Sequence, residues 1–171
     1  MSRESESRPA KNRKSKALWL ALATGVLAVT LVVWLSVPTI SAEDVDVVVY
    51  KTPACDCCNK WIAHLRDNDL KVSVVSVRDT RSIQSRLGVP RQLGSCHTAV
   101  VGNYWVEGHV PADLIQRLVA EKPDDVLGIA VPGMPIGSPG MEGPNPVRYD
   151  VLAFGADGRT TVYAVRQGLA H

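Results

Sequence analysis

Apolar positions along this chain fall into blocks of different period, and the blocks predict the elements. Ala17 to Val37 is a run of 21 residues without a charge, ALWLALATGVLAVTLVVWLSV. At ~1.5 Å rise per residue it reaches roughly 30 Å, the thickness of a bilayer core. Trp19 and Trp34 lie near its ends, where amphipathic rings suit the interface. After Pro38 and a short polar joint, Val45 to Tyr50 is a β-branched run that reads as a strand buried on both faces. Thr52-Pro53-Ala54 breaks it. Cys55 to Asn68 has helical spacing, with Trp61, Ile62 and Leu65 on one side. Leu70 to Val77 reads as a second strand. Asp79-Thr80 can cap a short helix from Arg81 to Leu87, which Gly88-Val89-Pro90 ends. Thr98 to Val101 and Tyr104 to Val106 flank Gly102-Asn103, a hairpin turn. Pro111 opens a helix to Glu121. Residues 128–146, GIAVPGMPIGSPGMEGPNP, are dense in proline and glycine, and predict a functional loop without regular structure. Tyr149 to Phe154 and Thr160 to Val165 form a closing hairpin around Ala156-Asp157-Gly158.

Charge divides the chain at its first apolar block. Residues 1–16 hold six Lys/Arg against Glu4 and Glu6, while the whole chain has a net charge of only +2, so the remainder is mildly acidic. A mildly acidic domain with no basic aromatic stripe gives no case for nucleic-acid binding. The basic flank before residues 17–37 orients them with the N-terminus in the cytoplasm and the following domain outside. Two readings of the apolar block stay open. It is an uncleaved membrane anchor, or the core of a signal cut near Ser41-Ala42. Both export the domain, in a bacterium to the periplasm or the outer surface. The organisation is a basic cytoplasmic tail over 1–16, an anchor or signal over 17–37, a linker over 38–44 and a folded domain over 45–166.

All four cysteines lie in that domain, three of them within four residues, Cys55-Asp56-Cys57-Cys58. Cys55 and Cys58 have the C-x-x-C spacing of thiol oxidoreductases. Cys57 is a third soft donor, and thiolates select Cu(I) while also suiting Zn(II). A cysteine motif that ends the first strand and opens a helix is where thioredoxin-like folds keep a dithiol, at the helix's positive end. The fold class expected is therefore α/β: a thioredoxin-like three-layer fold with a C-terminal β-hairpin and a Gly/Pro-rich loop, preceded by one N-terminal transmembrane or signal helix.

Cys96-His97, at the start of the first hairpin, faces the dithiol in such a fold and offers Cys96 as a fourth ligand, its alternative being a disulfide partner or a buried thiol. His97 is a further candidate, its alternative being a strand histidine bonded to the backbone. A closed zinc site needs four ligands, and Cys96 or His97 could complete it. Met134 and Met141 offer thioethers on the Gly/Pro loop, as lids over a metal or as apolar anchors of the loop. His64, two turns after Cys57 on the same helix, and His109, between strand and helix, are weaker metal candidates. His171 is terminal. Nucleotide, hydrolase and zinc-protease motifs are absent.

Several runs together resemble one family. Tyr50-Lys51-Thr52-Pro53-Ala54-Cys55-Asp56-Cys57-Cys58 with Trp61 and His64-Leu65, Ser95-Cys96-His97-Thr98-Ala99, Val106-Glu107-Gly108-His109-Val110-Pro111-Ala112, and Val131-Pro132-Gly133-Met134-Pro135 to Gly137-Ser138-Pro139-Gly140-Met141-Glu142 are similar to the bacterial domain of unknown function 411, a family with a copper-resistance member. The resemblance covers about residues 45–166. It implies a thioredoxin-like fold, periplasmic copper handling and copper on Cys55, Cys57, Cys58 and Cys96. Asp56 departs from the glycine often found between the family's first two cysteines and places a negative charge beside the site. The functional expectation is a periplasmic-side copper-binding protein of copper resistance and homeostasis, holding Cu(I), with a thiol-disulfide or copper oxidoreductase as the alternative and a structural zinc domain behind both. Expected partners are the metal ion, a periplasmic copper chaperone or efflux components, and the membrane through residues 17–37.

Overall fold

A computed structural model describes residues 46–168, which belong to the C-terminal of the two units into which the chain divides, Ala42–His171. The basic tail, the anchor or signal segment and the whole of the linker lie outside the described residues. No helix among those described is long and apolar enough to cross a membrane.

The elements follow the hydrophobic blocks with one strand, β5, added: β1 (Val47–Lys51), α1 (Asp56–Asp67), β2 (Val72–Ser76), α2 (Arg81–Leu87), β3 (His97–Val101), β4 (Tyr104–Gly108), α3 (Ala112–Glu121), β5 (Val126–Val131), β6 (Arg148–Gly155) and β7 (Thr160–Gln167). They build a mixed α/β unit around one seven-stranded sheet in the order β2-β1-β3-β4-β5-β6-β7. β1 runs parallel to β2 and β4 to β5; the other neighbours are antiparallel.

Period-two alternation along the strands sorts the core into two layers. Val106, Ile129, Val131, Val151 and Ala153 join Trp61, Ile62 and Leu65 of α1 and Leu114, Ile115 and Leu118 of α3 in the main apolar cluster. Their strand neighbours Trp105, Ala130, Leu152 and Phe154 meet Leu87, Val89 and Leu93, at the end of α2 and beyond it, in a second cluster. Helices therefore cover both faces of the sheet. α1 and α3 hold their positions because each buries one apolar stripe, at about 1.5–3 kcal/mol per large side chain removed from water.

Residues 128–146 differ from expectation. Their first four residues finish β5, which pairs with β4 in register Trp105↔Gly128 to Gly108↔Val131. Proline and glycine density over the whole window masks a short apolar strand inside it. Gly128 is required there because the Trp105 indole occupies the space a Cβ would fill. Both strands of the first hairpin also run longer than their β-branched cores, β3 beginning at His97 and β4 ending at Gly108. Those extra residues are the ones that build the site.

Candidate metal centre

The site forms where the end of β1, the start of α1 and the start of β3 converge. Cys55 is the N-cap of α1, in extended conformation, so Cys57 and Cys58 occupy the helix's first turn. The unpaired amides and dipole at that end favour thiolate over thiol. β3 is hydrogen-bonded to β1 with Lys51↔His97 in register, which brings Cys96 beside the helix start. Cys96 Sγ lies 3.3 Å from the sulfurs of both Cys55 and Cys58, and Cys55 Sγ lies 3.6 Å from that of Cys57. All four sulfurs fall within 4.8 Å of one another. No other group of three or more His, Cys, Asp or Glu side chains among the described residues is arranged to hold a metal.

Cys55 and Cys58 are joined as a disulfide, their Cα atoms 5.3 Å apart, while Cys57 and Cys96 are free. Cys58 is buried and the other three are half-buried. Burial, with Cys57 close by, pushes the Cys96 thiol up to about 11. Cys96 is thus protonated in the absence of metal, and a soft cation that displaces its proton would have to supply that energy.

His97 is fully buried under Trp61, ring centroids 4.4 Å apart. Its Nε2 is 2.9 Å from the Gly108 carbonyl, a contact only an N–H can make, so Nδ1 carries the lone pair. That Nδ1 sits 3.7 Å from Cys96 Sγ. Burial, reinforced by His109, drives the imidazole's pKa down to about 3, which keeps it a neutral acceptor. The backbone-bonded alternative for His97 describes Nε2, while Nδ1 faces Cys96 Sγ. His109 meets His97 edge-on at 5.3 Å. It donates from Nδ1 to the Pro139 carbonyl at 2.7 Å, and its buried Nε2 has no partner among the described residues. His64 is committed elsewhere: its Nε2 accepts the Ala112 backbone N–H at 3.1 Å, capping α3, whose N-cap Pro111 has no capping side chain.

The Gly/Pro loop is tied down at several points. Pro139 holds His109, Ser138 Oγ donates to the Pro135 carbonyl at 2.8 Å, and Gly137 and Met141 are bridged by backbone. Gly140, at φ +82°, crosses α1 so closely that a Cβ would stand 2.7 Å from Trp61 N and 2.9 Å from the Cys57 carbonyl. This close approach sets Met141 in the wall of a cavity of about 370 Å³ that it shares with Cys57, Asp56 and Lys60. Met134, by contrast, is 43% exposed on a turn at φ +49°.

Sequence reasoning passed over Glu107. It is fully buried opposite Thr98. Its carboxyl accepts hydrogen bonds from Ser95 N (2.9 Å), Ser95 Oγ (2.9 Å), Gln84 Nε2 (3.3 Å) and Thr98 Oγ1 (2.5 Å). Burial pushes it up to about 7 against those four donors. Glu107 thereby fixes the turn that carries Cys96. A carboxylate in an otherwise apolar strand, Tyr104-Trp105-Val106-Glu107-Gly108, was the available signal.

Residues 93–141 match the family described as "Protein of unknown function, DUF411". None of the curated proteins matches. Two solved structures do. One named "Copper resistance protein copG- Form 2" is 43% identical, with 70% of this chain and 96% of that one aligned and a TM-score of 0.66. The other, "Copper resistance protein copG- Form 1", is 42% identical over 74% of this chain and 100% of that one, with a TM-score of 0.68. A cluster of four cysteines fits the metal named in those proteins, and by this similarity the chain belongs to the DUF411 family of CopG-like proteins.

Proposed function

We propose that this chain is a periplasmic-side copper-binding protein of copper resistance, built on a thioredoxin-like frame, that holds Cu(I) on Cys55, Cys57, Cys58 and Cys96. One observation carries the reading: four sulfurs from two chain segments lie within 4.8 Å. Thiolates of that density suit a soft monovalent cation better than a hard one. Two electrons must first open the Cys55–Cys58 disulfide, so the same residues serve as a redox latch on the metal. Copper is cargo in this reading. His97 Nδ1 is a neutral imidazole donor 3.7 Å from Cys96 Sγ, His109 packs edge-on against His97 rather than against a sulfur, and Met141 adds a thioether from the Cys57 side; Met134 would serve only after its turn rearranged. Residues 17–37 anchor or export the domain, and a periplasmic copper chaperone or efflux component exchanges metal with it.

The test is a Cu(I) titration of the reduced full-length chain against a competing chelator under anaerobic conditions. The expected result is binding that weakens at least tenfold in Cys57→Ser and in Cys96→Ser. Failure of the wild-type protein to take Cu(I) from the chelator, or unchanged binding in both variants, refutes the reading. The disulfide at a helix start also favours a second reading, thiol-disulfide or copper oxidation and reduction. Reduction of insulin disulfides, with loss of activity in Cys58→Ser, tests it. Zinc in protein purified from cells grown with both metals would favour a structural zinc site.

A further inference from the structure

A groove of about 820 Å³ opens on the Cys96 side of the sulfur cluster, with Thr52, Arg78, Asp79, Arg81 and Arg91 in its wall and Cys96 itself part of it. Its charge is one-sided. Asp79 is taken up by Arg81, whose Nε lies 3.2 Å from both carboxylate oxygens and whose backbone N–H donates to Oδ1 at 2.7 Å. Arg78 and Arg91 are exposed and have no ion pair among the described residues. Residues 46–168 balance thirteen Lys/Arg with thirteen Asp/Glu, so this excess of positive charge is local to the groove. The cavity on the Cys57 side is different in kind, with Ile136, Met141 and Pro144 in its wall and charges of both signs, Asp56 and Glu142 with Lys60.

We propose that the Arg78–Arg91 groove binds a small anionic thiol, with its carboxylate or sulfonate against the two arginines and its sulfur at Cys96. The proposal rests on the reading of the cluster as a soft-metal site that must be reduced before loading, and it names what reduces it. Cys96 Sγ is 3.3 Å from both sulfurs of the disulfide, so a thiolate guided to Cys96 stands beside Cys55, the half-buried sulfur of that bond. Cys58 is fully buried. The thiolate attacks Cys55 Sγ, forming a mixed disulfide and expelling Cys58 as thiolate. A second thiolate of the same compound attacks the outer sulfur of the mixed disulfide, giving the symmetric disulfide of the small thiol and the Cys55 thiolate. Two electrons pass from the two small thiols to the protein, and the protons those thiols lost return to the two freed cysteines. Arginine is suited to the anchoring role because its planar fork pairs with carboxylate and sulfonate geometry.

The experiment uses the oxidised, metal-free, full-length chain and three probes of similar size: 2-mercaptoethanesulfonate, 2-mercaptoethanol and cysteamine. The rate of disulfide opening is followed by alkylation and mass spectrometry, expressed per thiolate, and divided by each thiol's rate with hydroxyethyl disulfide, which has no groove. The anionic probe is expected to outpace the cationic one by about tenfold at low ionic strength, the ratio shrinking toward one by about 0.5 M salt. In R78E/R91E the order should invert, and in the milder R91Q the ratio should fall by about half its logarithm. Equal corrected rates for the three probes, or an anionic preference that survives both variants, overturns the proposal. Copper plays no part in this measurement. A protein that fails the Cu(I) titration yet discriminates between the thiols would defeat the metal reading alone.

Discussion

Glu107 gives the sharpest test of how the site is held. In E107A the Ser95 backbone N–H loses its acceptor while remaining half-buried, and the Thr98 hydroxyl loses its partner; Gln84 keeps the Ser95 carbonyl at 2.9 Å and Ser95 Oγ keeps the His97 carbonyl at 2.6 Å. An orphaned buried donor costs about 1–3 kcal/mol, and each buried methylene removed about 1 kcal/mol. The sum for E107A is about 4 kcal/mol, a large share of the ~5–15 kcal/mol that holds a typical domain. E107Q should cost only about 1 kcal/mol. Its amide oxygen can take the Oε2 place before Ser95 and Gln84, and its NH₂ can donate to the Thr98 hydroxyl, which can turn to accept. The pH dependence has a definite sign. Burial raises Glu107 from 4.5 to about 7. Across that window the folded state keeps a proton the unfolded chain has lost. The group's stabilisation is therefore complete below pH 4.5 and fades as pH rises toward 7. Both variants lack this loss, so each should gain on the wild type by about 2–3 kcal/mol between those limits. Urea denaturation of the reduced proteins, followed by circular dichroism at several pH values, reads all of this. Equal costs for E107A and E107Q would refute the hydrogen-bond accounting. A wild-type-to-variant difference flat in pH would show the carboxylate ionised throughout.

Three further outcomes follow from the geometry. H64A removes the acceptor that caps α3 and should cost about 1 kcal/mol in denaturation at pH 7.5; because burial lowers the His64 pKa, the stability it contributes is present above 6.5 and lost on acidification, so the gap to the wild type should narrow as pH falls. G140A forces a Cβ against Trp61 N and the Cys57 carbonyl at positive φ and should lower stability by about 2–4 kcal/mol, with the Met141 loop becoming a site of limited proteolysis. In the oxidised protein at pH 8, iodoacetamide should modify two thiols, with Cys96 about a hundredfold slower than an ordinary thiol because its pKa is raised from 9.0 to about 11; mass spectrometry showing Cys96 labelled first would contradict that assignment.

What could be read from the chain follows the kind of interaction involved. Local signals were legible. The β-branched run of β1, the apolar stripe of α1 through Trp61 and Leu65, the Gly102-Asn103 turn and the cysteine run at a helix start each state their structure within a few residues. The convergence of Cys96 with Cys55 and Cys58 was legible through strand-helix order and family resemblance together. β5 was hidden because its evidence is non-local: Gly128 belongs in a strand only because Trp105 lies across it. Glu107 was hidden for the same reason, its donors coming from Gln84 on α2, Ser95 on the loop before β3 and Thr98 on β3. The commitment of His64 to α3 could not be seen from its spacing to Cys57. The helix it caps is remote in sequence. The oxidation state of the cysteines is a matter of chemistry, and no pattern of residues writes it.

The span between the two halves of the sulfur cluster has a consequence for the chain's mechanics. Cys55 and Cys58 are three residues apart, so their disulfide tethers only one turn. Cys55 and Cys96 are separated by 41 residues. A metal ion bridging them closes a loop that contains α1, β2 and α2. Treated as a cross-link, such a closure removes about 4 kcal/mol of chain entropy from the unfolded state. Reduction alone therefore leaves the α1–β2–α2 segment held by its packing, while loading staples it to β3. The midpoint of thermal unfolding would report how full the protein is.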